Sequence, residues 1–133
     1  GNLGKNNLVR IRDIMLTLKD VPKINHKSSL GDAIKEISEK KVGFTAIIDE
    51  KNFPVGIFTD GDLRRSLLNQ KNITTPIFEC MSKNPITLNQ NQLAIDAVNV
   101  MESSKVNGFI VIDDKNNLIG ILNLHILLKH KII

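Results

Sequence analysis

The chain has 133 residues, with 18 basic and 14 acidic side chains, a net charge of +4, 41% apolar residues and one cysteine. That length holds one domain or two very small ones, and the apolar fraction supports a folded core rather than disorder. Cys80 alone excludes an internal disulfide and fits a reducing cytosol, so a cytoplasmic protein is expected. No apolar run reaches the ~18 residues of a membrane span, there is no signal-peptide pattern, and the lysines are scattered without interleaved aromatics, which argues against a nucleic-acid partner.

In chain order, the first extended piece is "PKIN" at 22–25. Leu30, Ala33, Ile34 and Ile37 follow at i, i+3, i+4, i+7 spacing and predict a helix with one apolar face. Ser28 or Ser29 suits its N-cap, and Gly43 follows its end. Two apolar strands come next, 44–49 and 54–58, joined by "EKNF", whose Lys and Asn are turn residues. Pro54 fits a strand start, where its missing N–H matters least. A helix over about 61–69 closes the half. The second half runs the same way. "PITL" at 85–88 precedes a helix marked by Leu93, Ala97, Val98 and Met101, then Gly108. Strands 109–113 and 118–122 are joined by "DKNN", and a helix at 124–130 ends the chain.

The two halves are similar. Shifted by 64 residues, Ala33 falls on Ala97, Val42 on Val106, Asp49 on Asp113, Gly56 on Gly120 and Leu63 on Leu127. "RDIM" at 12–15 and "FECM" at 78–81 correspond at an offset of 66. The reading is an α/β (α+β) fold of two tandem β-α-β-β-α units, 13–70 and 71–133. Each is about 55 residues, marginal alone, so the two are expected to share a core as a pseudo-two-fold pair.

"GIFTDGDLRR", 56–65, concentrates the chemistry where a strand ends and a helix begins. Thr59 places a hydroxyl beside the free N–H groups of a helix start, which together suit a phosphate. Asp62 is an acceptor-only carboxylate able to take both hydroxyls of a ribose cis-diol, and Gly61 leaves room for a sugar near the backbone. Arg64 and Arg65 offer charge to a second anionic group. The same residues have a plainer reading: Thr59 as N-cap, Asp60 and Asp62 favouring the positive helix end, and the arginines as a solvated or subunit-facing surface. The matching junction has Asn123 for Thr59 and Ile126 for Asp62, so it lacks the ribose carboxylate. His26, His125 and His130 lie apart, at no metal-ligand spacing. No catalytic set, metal site or cofactor is expected in these residues.

The "DIM" start, the "LGDAIKEI" helix and the "AIIDEKNFPVGIFTDGDL" block, repeated in plan, resemble a tandem pair of CBS domains. With "GNLGKNNLVRIRDIM" ahead of "TDGDLRR", the chain is similar to the C-terminal part of bacterial arabinose-5-phosphate isomerases, in which a sugar-isomerase (SIS) domain precedes the pair. The resemblance implies that 1–12 is the linker from a missing SIS domain and that the fragment is non-catalytic. It implies that the parent interconverts ribulose 5-phosphate and arabinose 5-phosphate, towards Kdo for lipopolysaccharide or capsule. It also implies that Gly56-Ile57-Phe58-Thr59-Asp60-Gly61-Asp62 lines a nucleotide cleft, with Lys23, Ile24, Gly43, Phe44 and Thr45 as further walls. A weaker second site would use Thr87, Asn107, Gly108, Asn123 and His125. CMP-Kdo, or AMP or ATP, would be the regulatory ligand, and a homo-oligomer, a dimer of pairs within a tetrameric parent, the assembly. Two alternatives stand beside it: a stand-alone adenine-nucleotide sensor and a purely structural oligomerisation module.

Overall fold

Periodicity finds long elements and passes over short ones, and the described chain opens with two of the latter. The computed structural model describes residues 8–133. A single helical turn, α1 (Ile11–Ile14), is followed by a two-residue strand, β1 (Leu16–Thr17). Then come β2 (Lys23–Asn25), α2 (Leu30–Lys40), β3 (Phe44–Ile48), β4 (Pro54–Thr59), α3 (Asp60–Leu68) and another two-residue strand, β5 (Ser82–Lys83). The second repeat supplies β6 (Thr87–Asn89), α4 (Ala94–Ser104), β7 (Gly108–Ile112), β8 (Leu118–Asn123) and α5 (Leu124–Lys129).

The helix ends follow from local chemistry. Of the two candidate serines, Ser29 caps α2: its Oγ accepts from the Asp32 N–H at 3.2 Å, and Asp32 Oδ2 accepts from the Ser29 N–H at 3.0 Å. The glycines at 43 and 108 fall two and three residues beyond the residues that close the helices. Lys41 (φ 59°) and Lys105 (φ 56°) adopt the left-handed conformation and close α2 and α4, their N–H groups bonding Ile37 O and Met101 O. Gly43, at φ +99°, then makes the turn into β3. The two hairpins are also built alike. Asp49 Oδ1 accepts from the N–H of Lys51 and Phe53, and Asp113 Oδ1 from those of Lys115 and Asn117, all at 2.9 Å.

The described residues form two four-stranded sheets, ordered β2-β3-β4-β5 and β1-β8-β7-β6. In the first, β2 runs parallel to β3, and β3, β4 and β5 are successively antiparallel. The second repeats the pattern, β6 parallel to β7 and β8 antiparallel to both β7 and β1. The compact units therefore differ from the sequence repeats 13–70 and 71–133. One unit is Lys19–Pro85; the other joins the segment ending at Leu18 to Ile86–Ile133. The expected linker, 1–12, lies partly outside the described residues. Its described end is structural: Ile11 is fully buried, Ile11 N–H donates to Gln92 O at 2.9 Å, and Arg12 Nη1 donates to Asn91 Oδ1 at 2.6 Å.

Each unit has its own core. In Lys19–Pro85, Leu30, Ala33, Ile47, Phe58, Ile77, Cys80 and Met81 pack together, joined by Ile24, Ile34, Ile37, Val55 and Leu63. In the other, Ile11, Ala97, Phe109, Ile110, Val111, Ile121, Leu122 and Leu127 are buried. A glycine in each admits a methionine. A Cβ on Gly56 would lie 2.5 Å from Met81 Sδ, and one on Gly120 would lie 2.6 Å from Met15 Sδ. This equivalence explains why "DIM" and "ECM" recur ahead of β1 and β5.

Candidate functional site

The end of β4 and the start of α3 form one hydrogen-bonded knot. Thr59 terminates the strand with extended backbone (φ −116°, ψ 172°) and caps the helix, its Oγ1 accepting from the Asp62 N–H at 3.3 Å. Asp62 returns the bond. Its Oδ2 accepts from the Thr59 N–H at 3.0 Å and from Thr59 Oγ1–H at 3.1 Å. Its Oδ1 accepts from Arg65 Nη2 at 2.6 Å and from Ser82 Oγ at 2.7 Å. Four donors thus meet a carboxylate whose two oxygens offer about four lone-pair sites. Asp62 is 3% exposed, so this pairing is what makes a buried charge tolerable. Ser66 Oγ donates to the Asp62 carbonyl at 2.7 Å, tying the same residue to the next helical turn.

The other candidate residues of this unit sort by position. Arg65 is exposed and lies across Gly61: a Cβ there would sit 3.4 Å from Arg65 Nη1. Asp60 and Arg64 are exposed on α3. Phe44, at the start of β3, pairs with Thr59 across the ladder, and Lys23, at the start of β2, pairs with Ala46. Lys23, Gly43, Phe44 and Thr59 therefore share one end of the sheet. Phe44 and Thr45 are buried, Thr45 fully, with Thr45 Oγ1 donating to Ala46 O at 3.3 Å. Ile24 packs on the core, and the Lys23 N–H bonds Glu36 Oε2 at 3.0 Å. Ser82 is the participant that motif reading passed over. It stands twenty residues from Asp62 and reaches it only because β5 pairs with β4, Ser82 opposite Ile57. Arg65 was legible as a site residue, and its i, i+3 spacing from Asp62 was the available sign of their pairing.

The corresponding junction in the other unit keeps the cap and loses the charge. Asn123 Oδ1 accepts from the Ile126 N–H at 2.9 Å, and the Leu124 N–H bonds Asn107 O at 3.0 Å. Ile126, in place of Asp62, is buried, and Leu16 stands opposite Ile121 where Ser82 stands opposite Ile57. Thr87, Gly108 and Asn123 gather at the matching sheet end, while His125 is exposed on α5. Away from both junctions, His26 Nε2 and Lys27 Nζ contact the exposed Glu50 at 3.0 and 3.3 Å. The His26 hydrogen bond, with help from backbone and Lys27, holds Glu50 at about 2, well below its ordinary 4.5. Asp113 is likewise lowered, chiefly by the Asn117 N–H and side chain. Among the described residues no three His, Cys, Asp or Glu side chains cluster as metal ligands would, and no helix is long and apolar enough to cross a membrane.

A doubled β-α-β-β-α unit with a capped strand-to-helix junction in each copy defines a tandem α/β module, and comparison with known proteins gives it a family. The family model described as "CBS domain" matches residues 11–69 and 77–132. This chain belongs to the CBS domain family. It is similar to the arabinose 5-phosphate isomerase KdsD of Yersinia pestis, 39% identical over 97% of this chain, and to that of Francisella tularensis, 36% identical over 97%. It spans 39% of the length of each of these relatives. Its fold is similar to that of the CBS domain protein PAE2072 from Pyrobaculum aerophilum, solved in complex with AMP. There the TM-score is 0.81 at 16% identity, covering 90% of both chains.

Proposed function

We propose that this chain is the regulatory CBS pair of an arabinose-5-phosphate isomerase, and that it binds a nucleotide at the Thr59–Asp62 junction. The kinship with KdsD over 97% of the chain carries the reading. The parent would convert ribulose 5-phosphate to arabinose 5-phosphate on an SIS domain outside this sequence, in the cytoplasm. A product of the same route, CMP-Kdo, offers a ribose diol for Asp62, a phosphate for the Thr59 cap and a sugar carboxylate for Arg64 or Arg65. A ligand that binds two conformations of the enzyme unequally would then regulate its first step. The parent would assemble as a homo-oligomer.

A second reading, an adenine-nucleotide sensor using the same junction, is favoured by the AMP-bound structure to which the fold is similar. Thermal unfolding with CMP-Kdo, CMP, AMP and ATP separates the two. Binding at about a hundred times the dissociation constant adds ~2.7 kcal/mol and raises the midpoint by several degrees. A rise with CMP-Kdo that Asp62→Ala abolishes supports the first reading, and one restricted to AMP or ATP supports the second. No rise with any of them leaves an assembly module.

A further inference from the structure

We propose that Arg65 is an internal latch on the Asp62 carboxylate, holding in the free protein the place a ribose diol takes in the bound one. The inference rests on the nucleotide reading above and specifies how ligand entry is controlled. Two placements carry it. Arg65 Nη2 donates to Asp62 Oδ1 at 2.6 Å, and with Ser82 Oγ at 2.7 Å it fills that oxygen, while Thr59 fills Oδ2. The same guanidinium covers Gly61, where a Cβ would meet Nη1 at 3.4 Å and Nη2 at 3.6 Å. Arg65 thus occupies both the acceptor and the space that a sugar would need.

The four donors differ in how readily they leave. The Thr59 N–H belongs to the main chain of the cap, and Thr59 Oγ1 is held reciprocally by the Asp62 N–H. Ser82 is a short side chain fixed by strand pairing. Arg65 alone has a long side chain, 65% exposed, whose guanidinium regains full hydration when it swings out. Asp62, with its side chain 4% exposed, does not tolerate release without a replacement, because an unpaired buried charge is strongly disfavoured. The latch therefore stays shut until hydroxyl donors arrive. The freed guanidinium, one helical turn beyond Asp62, then becomes available to the ligand's anionic group.

The test titrates the full chain, wild type and Arg65→Met, with cytidine and adenosine and with their 2′,3′-dideoxy counterparts. In parallel, the Arg65 Nε–H resonance is followed in 15N-labelled wild type during addition of CMP and AMP. A neutral diol has only the competition to feel, so Arg65→Met should bind the ribonucleosides about fivefold more tightly, the upper end for an exposed-partner ion pair. The dideoxy compounds should gain nothing, and the Arg65 resonance should move into fast exchange as nucleotide binds. Binding that shifts Thr59 and Asp62 while Arg65 stays engaged, with no gain in Arg65→Met, overturns the latch and leaves the nucleotide reading intact. No shift at Thr59 or Asp62 with any compound, in either protein, overturns the nucleotide reading and the latch with it.

Discussion

The two strand-to-helix junctions solve one geometric problem with opposite chemistry. Each needs a capping side chain, Thr59 or Asn123, because the first N–H groups of a helix have no partner within it. Each then buries the residue three positions on. In the first repeat that residue is Asp62, and the strand beside it contributes Ser82. In the second it is Ile126, and the matching strand position holds Leu16. A polar pair in one copy has become an apolar pair in the other. The fold therefore requires the slot to be filled, but not that it be filled by a charge, since Ile126 fills it in the second copy.

The sharpest way to break that contrast is Ile126→Asp, which buries a carboxylate without the serine that serves Asp62. A loss of about 3–5 kcal/mol is expected from urea unfolding, as for an uncompensated buried charge. An unchanged midpoint would show that either junction accepts either chemistry. Next come the glycines. In Gly120→Ala the new Cβ would lie 2.8 Å from the Leu16 carbonyl oxygen as well as against Met15, whereas in Gly56→Ala the Ser82 oxygen is 3.0 Å away. Both should lose about 1–3 kcal/mol, Gly120→Ala the more. Hydrogen exchange across β1 would report the displacement, and protection equal to wild type would mean that the segment shifts without cost.

Ser82→Ala removes one of the four donors to Asp62 and should cost about 0.5–1.5 kcal/mol, whereas Leu16→Ser, its converse, should gain no compensating bond. The smallest effect is electrostatic. Glu50, at about 2 against an ordinary 4.5, contributes stability that is present above the ordinary value and is lost as pH falls through the lower one. The second repeat makes the corresponding tie with a neutral amide, Asn89 Nδ2 to Asp114 Oδ1 at 2.9 Å. His26→Ala should return Glu50 toward its ordinary range in an NMR titration of its side-chain carboxyl. A midpoint still near 2 would assign the depression to the backbone and Lys27.

What could be read beforehand was what local sequence encodes. The apolar spacing of Leu30, Ala33, Ile34 and Ile37 located α2, and the Asp-x-Lys-Asn turns located both hairpins, because these depend on neighbours in the chain. β1 and β5 were invisible for the opposite reason. Two residues carry no periodicity, and they are strands only through partners on β8 and β4. The site divides along the same line. Thr59 and Asp62 announce themselves by spacing, and Arg65 stands one turn on. Ser82 has no local signature, since its role comes entirely from strand pairing. The left-handed Lys41 and Lys105 belong to the same class: each closes its helix with a lysine in a conformation that local sequence would assign to glycine.

The pairing of β1 with β8 also sets an order of events during synthesis. The unit Lys19–Pro85 is continuous, so every partner it needs has left the ribosome once Pro85 has. Leu16 is made before any of them, yet its partner Ile121 emerges only after that unit is complete. The β1 segment therefore waits unpaired while the Lys19–Pro85 unit folds, and closing that long loop is the step that should limit the rate at which this pair of units matures.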